Sequence, residues 1–227
     1  MYAFFYDIIS SAKYGEVREM NTNYRKKMEE IIERITKNSA APSLLLHSCC
    51  APCSSYVLEC LSKHFKITVF YYNPNIEPFE EYQKRVAEQR RFLSAYKSAN
   101  PLEFFEGPYD ETAFQRISAG REEEKEGGSR CFLCYELRLR KTAEYAKANQ
   151  FDYFTTTLSV SPYKNAQALN EIGARLSEEY GVSFLFADFK KNNGYQRSIE
   201  LSKQYRLYRQ NFCGCIYSQK FSKPATD

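Results

Sequence analysis

Two hydrophobic periods alternate along most of the chain. In MNTNYRKKMEEIIERITK, apolar residues recur three and four positions apart, which predicts a helix with one apolar face: Met28, Ile31, Ile32 and Ile35. After residue 42, short apolar runs typical of buried strands alternate with longer helical patterns. Strands are predicted at residues 43–49, 66–72, 102–108, 151–160 and 182–189, and helices at 52–65, 78–97, 111–119, 131–150, 166–180 and 195–210.

This alternation predicts an α/β fold: a five-stranded, mostly parallel sheet with helices on both faces. In such sheets ligands bind at the carboxyl ends of the strands. The first predicted strand ends at Cys49 and Cys50, so we expect a metal site at that edge. We divide the chain into an N-terminal extension and helix, residues 1–38, and a single α/β metal-binding catalytic domain, residues 39–227. Residues 1–19 show no clear pattern.

Composition narrows the class of protein without identifying it. Hydrophobic residues make up 43% and charged residues 26%, which is ordinary for a globular protein. No run of eighteen apolar residues predicts a membrane span, and the first residues lack the basic start of a secretory signal. The net charge of +4 permits a polyanionic partner without requiring one. We therefore expect a cytoplasmic protein that has no membrane partner.

The eight cysteines carry most of the chemical information. Seven of them form three tight groups: Cys49, Cys50 and Cys53 in HSCCAPCS, Cys131 and Cys134 in CFLC, and Cys213 and Cys215 in CGC. Grouped thiols in a reduced compartment indicate metal or redox chemistry, and thiolate suits zinc, copper(I) and iron–sulfur clusters. The eighth, Cys60, lies within a predicted helix and is expected to pack as a small buried residue.

Seven thiols exceed the four that a zinc ion or a 4Fe–4S cluster requires. Either four hold a cluster and three have another role, or the seven hold two metal centres. The chain has only two histidines. His64 is expected at the surface, and His47 either tunes a metal site or fills the core.

Four motifs together resemble the epoxyqueuosine reductase QueH family: HSCCAPCS, the helix start CFLCYELRL, TTTLSVSPYKN, and the segment from Ser198 to Ser218 that contains CGC. The resemblance extends from about Tyr24 to Ser218. It implies a cobalamin-independent oxidoreductase that removes the epoxide oxygen of epoxyqueuosine at the anticodon wobble position of tRNA. The product is queuosine, and the reaction is the last step of queuosine biosynthesis.

The same resemblance implies a 4Fe–4S cluster, a nearby mononuclear iron, and an external electron donor. It also implies a sheet like that of the HUP/PP-loop adenine-nucleotide-binding superfamily. This chain has SCCAPCS where PP-loop enzymes carry the phosphate loop SGGxDS, so ATP use is not expected.

The resemblance leaves two assignments of the thiols open. In the first, the cluster ligands are Cys49, Cys50, Cys131 and Cys134, while Cys213 and Cys215 form a redox pair or bind the second iron. In the second, Cys131, Cys134, Cys213 and Cys215 hold the cluster, and the second iron is bound by Cys49, Cys50 and Cys53.

Removing an epoxide oxygen requires a proton donor, and binding tRNA requires cations. Candidate donors near the thiols are Tyr163 and Lys164, with Tyr195 and Tyr217 as further possibilities. Candidate tRNA contacts are Arg130, Arg138, Arg197, Lys203, Arg206 and Arg209, unless these residues only form a solvated helix face. Because Arg206 and Arg209 are three positions apart in a predicted helix, we expect them on one face. The polar segment REEEKEGGSR is expected to be a solvated loop.

Two other functions compete with this hypothesis. One is a cluster-containing tRNA sulfur transferase on a PP-loop-like sheet, which the missing SGGxDS motif disfavours. The other is a non-enzymatic zinc module that binds RNA, and adjacent thiols fit zinc poorly.

Overall fold

A computed structural model describes residues 22–37 and 40–219. The predictions for residues 1–19, and for the end of the predicted catalytic domain after residue 219, lie outside the described residues. In chain order the elements are α1 (Tyr24–Thr36), β1 (Ser43–His47), α2 (Ala51–Leu61), β2 (Lys66–Tyr71), α3 (Phe79–Ala95), β3 (Leu102–Glu106), α4 (Glu111–Ser118), α5 (Ser129–Ala148), β4 (Tyr153–Thr156), a 3-10 helix (Thr157–Val160), α6 (Ala166–Tyr180), β5 (Ser183–Phe184), α7 (Gly194–Gln204) and α8 (Ile216–Gln219).

The five strands form one sheet in the order β3-β2-β1-β4-β5. Every neighbouring pair is parallel, so the predicted α/β class is confirmed and the sheet is parallel throughout. The chain proceeds outward from β1 in both directions, which places the change of direction between β1 and β4. Ligands of such sheets bind in the crevice at this point, beyond the carboxyl ends of the strands. His47 and Thr156 are paired there, at the last position of the β1–β4 register.

Successive residues of β1 enter opposite layers of the core. Leu44 and Leu46 belong to an apolar cluster with residues of α1, α2, α3 and α7, and Leu45 belongs to a cluster with residues of α5 and α6. This alternation is the two-residue period of a strand that is buried on both faces. Helices therefore cover both faces of the sheet, as predicted.

Helix α1 has the predicted apolar face. Met28, Ile31 and Ile35 are buried in the cluster that includes Leu44 and Leu46, and Ile32 packs against its edge. The Asn23 side chain accepts a hydrogen bond from the Lys26 amide and caps the helix. Helix α1 thus packs on the α/β domain, and the division at residue 38 stays a prediction. In the described part of the chain, no helix has the length and apolarity needed to span a membrane.

The last two strands are shorter than predicted. Strand β4 ends at Thr156, and residues 157–160, predicted as strand, form a 3-10 helix. Strand β5 contains only Ser183 and Phe184 of the predicted 182–189. Beyond it, the amide of Ala187 donates to the side chain of Asn170, and the amide of Phe189 donates to Ser159. These side-chain acceptors satisfy buried amides without a strand ladder, and the apolar pattern alone cannot reveal them.

Helix α7 ends at Gln204, six residues before the predicted end at 210. Arg206 adopts a left-handed φ of 52°. Its amide donates to the Lys203 carbonyl, and the Leu207 amide donates to the Ser202 carbonyl. This is the Schellman pattern of helix termination, formed here without its usual glycine. The expectation that Arg206 and Arg209 share a helical face is therefore wrong, since both lie after the helix.

Candidate metal centre and substrate cavity

The first thiol group lies where β1 turns into α2. Cys50 caps α2, and Cys53 lies in its first turn. The Sγ atoms of Cys49, Cys50 and Cys53 all lie within 4.8 Å of one another. A helix N-terminus favours the thiolate form of cysteine. Hydrogen bonds from the Cys49 and Cys53 thiols hold the pKa of Cys50 well below its usual value, so Cys50 ionises first in this group.

The spacing in this group suits one metal ion. Cys49 and Cys50 have their sulfurs 3.9 Å apart, far beyond a disulfide bond, and all the cysteines are free. An ion about 2.3 Å from each thiolate in tetrahedral geometry separates its sulfur ligands by about 3.8 Å. These two neighbours therefore form no disulfide with each other, and the three sulfurs are placed as ligands of a single ion would be.

The other four thiols surround a second, smaller cavity. Cys131 and Cys134 lie in the first two turns of α5, about one helical turn apart, and Cys213 and Cys215 approach them from the CGC segment. Arg138 and Lys164 also line this cavity, together with Asn75. Cys213, Arg138 and Lys164 also line the larger cavity that contains Cys49 and Cys53. The three thiol motifs therefore meet at one edge of the sheet.

The CGC turn needs glycine in its centre. Gly214 has a φ of 117°, which L side chains rarely adopt. A Cβ atom at this position would lie 3.0 Å from Ile76 and 3.1 Å from the Arg85 guanidinium. Arg85 donates to the Cys213 carbonyl at 3.1 Å, and the Glu77 amide donates to the Gly214 carbonyl at 2.9 Å. These contacts orient both CGC sulfurs toward the cavity.

Buried hydrogen-bonding groups without partners lie beside these sulfurs. Asn75 is fully buried, and neither its amide nitrogen nor its oxygen has a partner within the described residues. The same holds for Nη2 of Arg138, whose Nε donates to the Cys134 carbonyl. Leaving such groups unpaired is costly. An anionic cluster in a thiol-lined cavity would accept from both donors, so the residues present fit a 4Fe–4S cluster.

Two buried cations balance the thiolates. The Nζ atom of Lys164 lies 3.2 Å from the Sγ of Cys213 and 2.5 Å from a Glu126 carboxylate oxygen. Burial alone would lower the pKa of Lys164, but Cys213, Tyr135 and Glu126 outweigh it and hold the pKa well above its usual value. The hydrogen bond from Cys215, aided by Lys164 and Arg138, lowers the pKa of Cys213 despite its burial.

The contacts of His47 indicate a structural role. Its ring contacts the Thr156 hydroxyl at Nδ1, 2.9 Å away, and the Tyr72 carbonyl at Nε2, 3.1 Å away. Burial, with a contribution from Arg138, lowers the pKa of His47 to about 4. The neutral ring therefore donates from Nε2 and accepts at Nδ1, which leaves no ring nitrogen for a metal. The core interpretation of His47 fits this geometry.

A polar network supports the first thiol group from behind. The hydroxyls of Ser48 and Ser54 lie 2.6 Å apart, and each lies 3.0 Å from Oε1 of Gln89. All three residues are buried, and Ser54 also donates to the Cys50 carbonyl. Gln89 belongs to α3, so this helix fixes both the thiol loop and, through Arg85, the CGC turn.

The larger cavity has a volume of about 630 Å³. Its walls include Cys49 and Cys53, three residues of the SPYKN segment (Ser161, Tyr163 and Lys164), and residues 209–213. This volume is within the range of small-molecule sites and is large enough for one modified nucleobase. Of the predicted proton donors, Tyr163, Lys164 and Tyr195 line it, whereas the buried Tyr217 packs against Arg130.

The predicted tRNA contacts have different environments. Arg130 and Arg138 are 2% and 1% exposed, so the alternative of a solvated helix face is wrong for these two. Arg130 donates to the carbonyls of Arg121 and Glu122. Arg138 faces the sulfurs, where an RNA backbone has no access.

The other four candidates are nearer the surface. Arg197 forms a two-point ion pair with Glu59 and a second ion pair with Glu200. Its charge is therefore balanced by carboxylates of the protein itself. Lys203, Arg206 and Arg209 are exposed. Of these three, only Arg209 lines the cavity, and its guanidinium lies 5.5 Å from the Tyr195 ring.

Sequence reasoning missed the residues that support the site from other elements. Glu126 belongs to the segment expected to be only a solvated loop, yet it pairs with Lys164 at the cavity wall. Asn75, Arg85 and Gln89 had no motif to mark them. One signal was present for Asn75, because Asn73-Pro74-Asn75 follows a strand whose carboxyl end lies at the thiol edge.

Fold and site together define a class of protein: a parallel α/β protein with a thiolate metal centre at the switch point of its sheet. The family model described as epoxyqueuosine reductase QueH matches residues 44–221. Curated relatives of that name confirm the match, and the chain belongs to the epoxyqueuosine reductase QueH family.

Three relatives show the extent of the similarity. The protein of Streptococcus pyogenes serotype M1 is 44% identical over 87% of this chain and 78% of its own length. The Staphylococcus epidermidis protein is 39% identical over 90% of this chain and 87% of its own length. The Thermotoga maritima protein is 35% identical over 78% of this chain and 90% of its own length.

A solved structure of lower similarity is the U34-tRNA thiolase NcsA from Methanococcus maripaludis with its [4Fe-4S] cluster. It is 11% identical, with a TM-score of 0.48, over 85% of this chain and 68% of the thiolase. A likeness at this level carries no functional conclusion.

Proposed function

We propose that this protein reduces epoxyqueuosine in tRNA to queuosine at the anticodon wobble position. The observation that carries the proposal is the family match over residues 44–221, a segment that contains all seven grouped thiols. The convergence of these thiols on a base-sized cavity supports it. We place the reaction in the cytoplasm, where free thiols such as these remain reduced.

The reaction converts an epoxide into an alkene. It consumes two electrons and two protons, breaks both carbon–oxygen bonds, and releases the oxygen as water. When bound, a 4Fe–4S cluster supplies electrons one at a time, and a second iron supplies a Lewis acid. The electrons come from an external donor. The thiol-rich site requires neither cobalamin nor ATP in this proposal.

The protein's own residues prepare the site for this reduction. Lys164 holds the Cys213 thiolate and carries a proton on Nζ at the cavity wall, where it can reach a leaving oxygen. Glu126 fixes the ammonium group from the opposite side. Arg138 neutralises thiolates from both cavities. Lys164 is therefore our proposed proton donor.

Distances support the second of the two thiol assignments. In it, Cys131, Cys134, Cys213 and Cys215 hold the cluster, and a single iron is bound by Cys49, Cys50 and Cys53. The 3.9 Å separation of the Cys49 and Cys50 sulfurs suits ligands of one ion. The first assignment places the cluster on Cys49, Cys50, Cys131 and Cys134 and makes the CGC pair a redox dithiol or ligands of the second iron.

Cys213→Ser separates the two assignments. Iron and sulfide are measured on anaerobically purified protein, and conversion of epoxyqueuosine in tRNA is assayed with chemically supplied electrons. In the second assignment the variant loses iron, sulfide and activity. In the first it keeps its sulfide and loses activity, with all its iron retained if the CGC pair is a dithiol and only the single iron lost if the pair binds it. Cys60→Ala is the matched control, because Cys60 packs against the core away from both cavities. A fully active Cys213→Ser protein would contradict both assignments.

The same assay distinguishes the competing functions. A sulfur transferase would add sulfur to tRNA, and a zinc module would carry zinc and lack the visible absorption of an iron–sulfur cluster. We expect iron, sulfide and loss of one oxygen from the modified base. Wild-type protein that is fully loaded with iron and leaves epoxyqueuosine unchanged would contradict the proposed function.

A further inference from the structure

One aromatic side chain at the larger cavity is strongly exposed to solvent. Within the described residues, the exposed large hydrophobic side chains are Phe79, Phe105, Tyr163 and Ile216. Tyr163 is 74% exposed, the most of these, and it is the one that lines the cavity. Because this ring lies at a cavity and packs little against the protein, it is available to contact a ligand, as tyrosines at interfaces do.

The backbone under this ring is fixed. The Lys164 amide donates to the Ser161 carbonyl, and the Tyr163 amide donates to the Ser161 hydroxyl. Lys190 donates to the Lys164 carbonyl at 3.0 Å, while the Lys164 side chain extends inward to Cys213. Neighbouring residues thus reach opposite ends of the cavity, Lys164 its sulfur wall and Tyr163 its opening. A tyrosine on a fixed backbone loses little conformational freedom when a ligand covers it.

The opening also carries a cation and a second ring. Arg209 is exposed, and its guanidinium lies over Tyr195, a further residue of the cavity wall. Aromatic faces beside a cation are the combination that binds single-stranded RNA, since bases stack on the rings and phosphates pair with the charge.

The size of the cavity decides which base can stack on Tyr163. A volume of about 630 Å³ accepts one nucleobase with its substituent, and that base must leave the stack to reach the thiols. Its neighbours in the anticodon loop stay outside and lose their stacking partner. The ring of Tyr163 lies at the opening, where such a neighbour would be left.

We propose that Tyr163 is the stacking platform for the anticodon-loop base next to the one that enters the cavity. This inference rests on the proposed function for the identity of the RNA. It gives Tyr163 a binding role in place of the proton-donor role that the sequence suggested. Its hydroxyl is dispensable in this role, and its aromatic face is essential.

The test compares Tyr163→Phe, which keeps the ring, with Tyr163→Leu, which keeps apolar bulk without an aromatic face. The probe is a fluorescently labelled anticodon stem-loop that contains epoxyqueuosine, and both its Kd and its rate of reduction at saturation are measured. We expect the Phe variant to behave like wild type. The Leu variant should bind about tenfold more weakly and keep its saturating rate. Phe105→Leu is the matched control, since Phe105 is 39% exposed and lies outside the cavity.

A second stem-loop, with an abasic site on one side of the modified nucleotide, identifies the stacked base. Wild type should lose about tenfold in affinity for the abasic probe on one side only, and Tyr163→Leu should lose nothing further with that probe. Unchanged wild-type affinity with both abasic probes would overturn the inference. A Leu variant that binds like wild type, or a Phe variant that binds normally and fails to reduce, would also overturn it.

These outcomes are distinct from failure of the proposed function. If wild-type protein binds the stem-loop and does not reduce it, the proposed function fails, and the Leu and Phe affinities still decide the stacking role. If wild type reduces the probe and Tyr163→Leu binds normally, only the stacking role fails. Wild type that does not bind the stem-loop contradicts both.

Discussion

At the scale of single residues, the centre of the site is a buried guanidinium. Arg138 is 1% exposed and lines both thiol cavities. It faces the sulfurs of Cys134, Cys213 and Cys49, whose attraction for its positive charge outweighs its burial and holds its pKa above the usual value. A permanent positive charge in this position stabilises whichever sulfur species carries the most negative charge.

This environment predicts a shift in reduction potential for Arg138 variants. The reduced form of a cluster carries one more negative charge than the oxidised form, so removing the cation should lower the potential. For Arg138→Gln we expect a decrease of about 60 mV or more, a tenfold change for a one-electron couple. Arg138→Lys keeps the charge and should shift it less. Potentiometric titration followed by electron paramagnetic resonance measures both variants, and an unchanged potential in Arg138→Gln would remove Arg138 from this role.

Two exposed arginines after α7 allow a matched test of RNA binding. Arg209 lines the cavity, whereas Arg206 is exposed outside its lining, with its backbone carbonyl held by Arg91. Arg209→Gln should reduce the slope of log Kd against log salt by roughly 0.7 units, the value for one lost phosphate contact with a single strand. Arg206→Gln makes the same change of charge and should leave the slope unaltered. Equal slopes for both variants and wild type would place the RNA backbone elsewhere.

At the scale of elements, hydrogen bonds from α3 hold in place the segment that leads to the CGC motif. This segment, residues 205–212, follows α7 without regular structure. Glu88 accepts from the Tyr208 amide at 2.7 Å, and Arg91 donates to the Tyr205 and Arg206 carbonyls. These contacts hold a left-handed arginine where glycine would be less strained.

These contacts predict that a substitution at Glu88 of α3 makes residues 205–212 more mobile. Glu88→Ala removes the acceptor of the Tyr208 amide and the partner of Arg91. Loss of a hydrogen bond to a charged group should raise the opening of residues 205–212 about tenfold or more. Hydrogen exchange measured by mass spectrometry checks this, with β1 expected to stay protected. Glu80→Ala, an exposed acidic residue of the same helix, should change nothing. Wild-type exchange of the segment in Glu88→Ala would show that it is held by other contacts.

The elements that the sequence predicts correctly are those whose stabilising pattern lies in consecutive residues. Periodicity predicted α1, β1 and α6 well, because a buried stripe or an apolar run is written into consecutive residues. Periodicity alone placed the end of β5 at residue 189 and the end of α7 at residue 210, which is too far in both cases. Side chains of Asn170 and Ser159 accept from the amides that would continue β5, and the left-handed Arg206 ends α7. The end of β5 depends on partners distant in sequence, and the end of α7 lacks glycine, the usual local signature of this ending.

The site could be predicted to a similar degree. The rule that parallel strands end at one edge brought the thiol motifs together correctly. It could not rank the arginines, since Arg130 and Arg138 differ from Arg209 in burial rather than in type. Nor could it find Glu126, whose pairing with Lys164 depends on how the loop before α5 folds back.

At the scale of the whole molecule, the order β3-β2-β1-β4-β5 explains why one edge holds all the chemistry. The loop after β1, the segment after β4 and the start of α5 converge at the switch point, and residues 205–215 close the remaining side. The grouped thiols, the proposed proton donor and the cavity opening thus come from segments far apart in sequence. The net charge of +4 for the whole chain permits a polyanionic partner without requiring one.

The central claim is that this thiol-lined edge removes the epoxide oxygen of epoxyqueuosine in tRNA by two-electron reduction. The most direct measurement is nucleoside mass spectrometry of epoxyqueuosine-bearing tRNA after anaerobic incubation with iron-loaded protein and a chemical reductant. The mixture contains neither ATP nor cobalamin. We predict conversion to queuosine, with the loss of one oxygen atom and no gain of sulfur. Unchanged epoxyqueuosine, conversion that requires ATP or cobalamin, or a thiolated product would contradict the account.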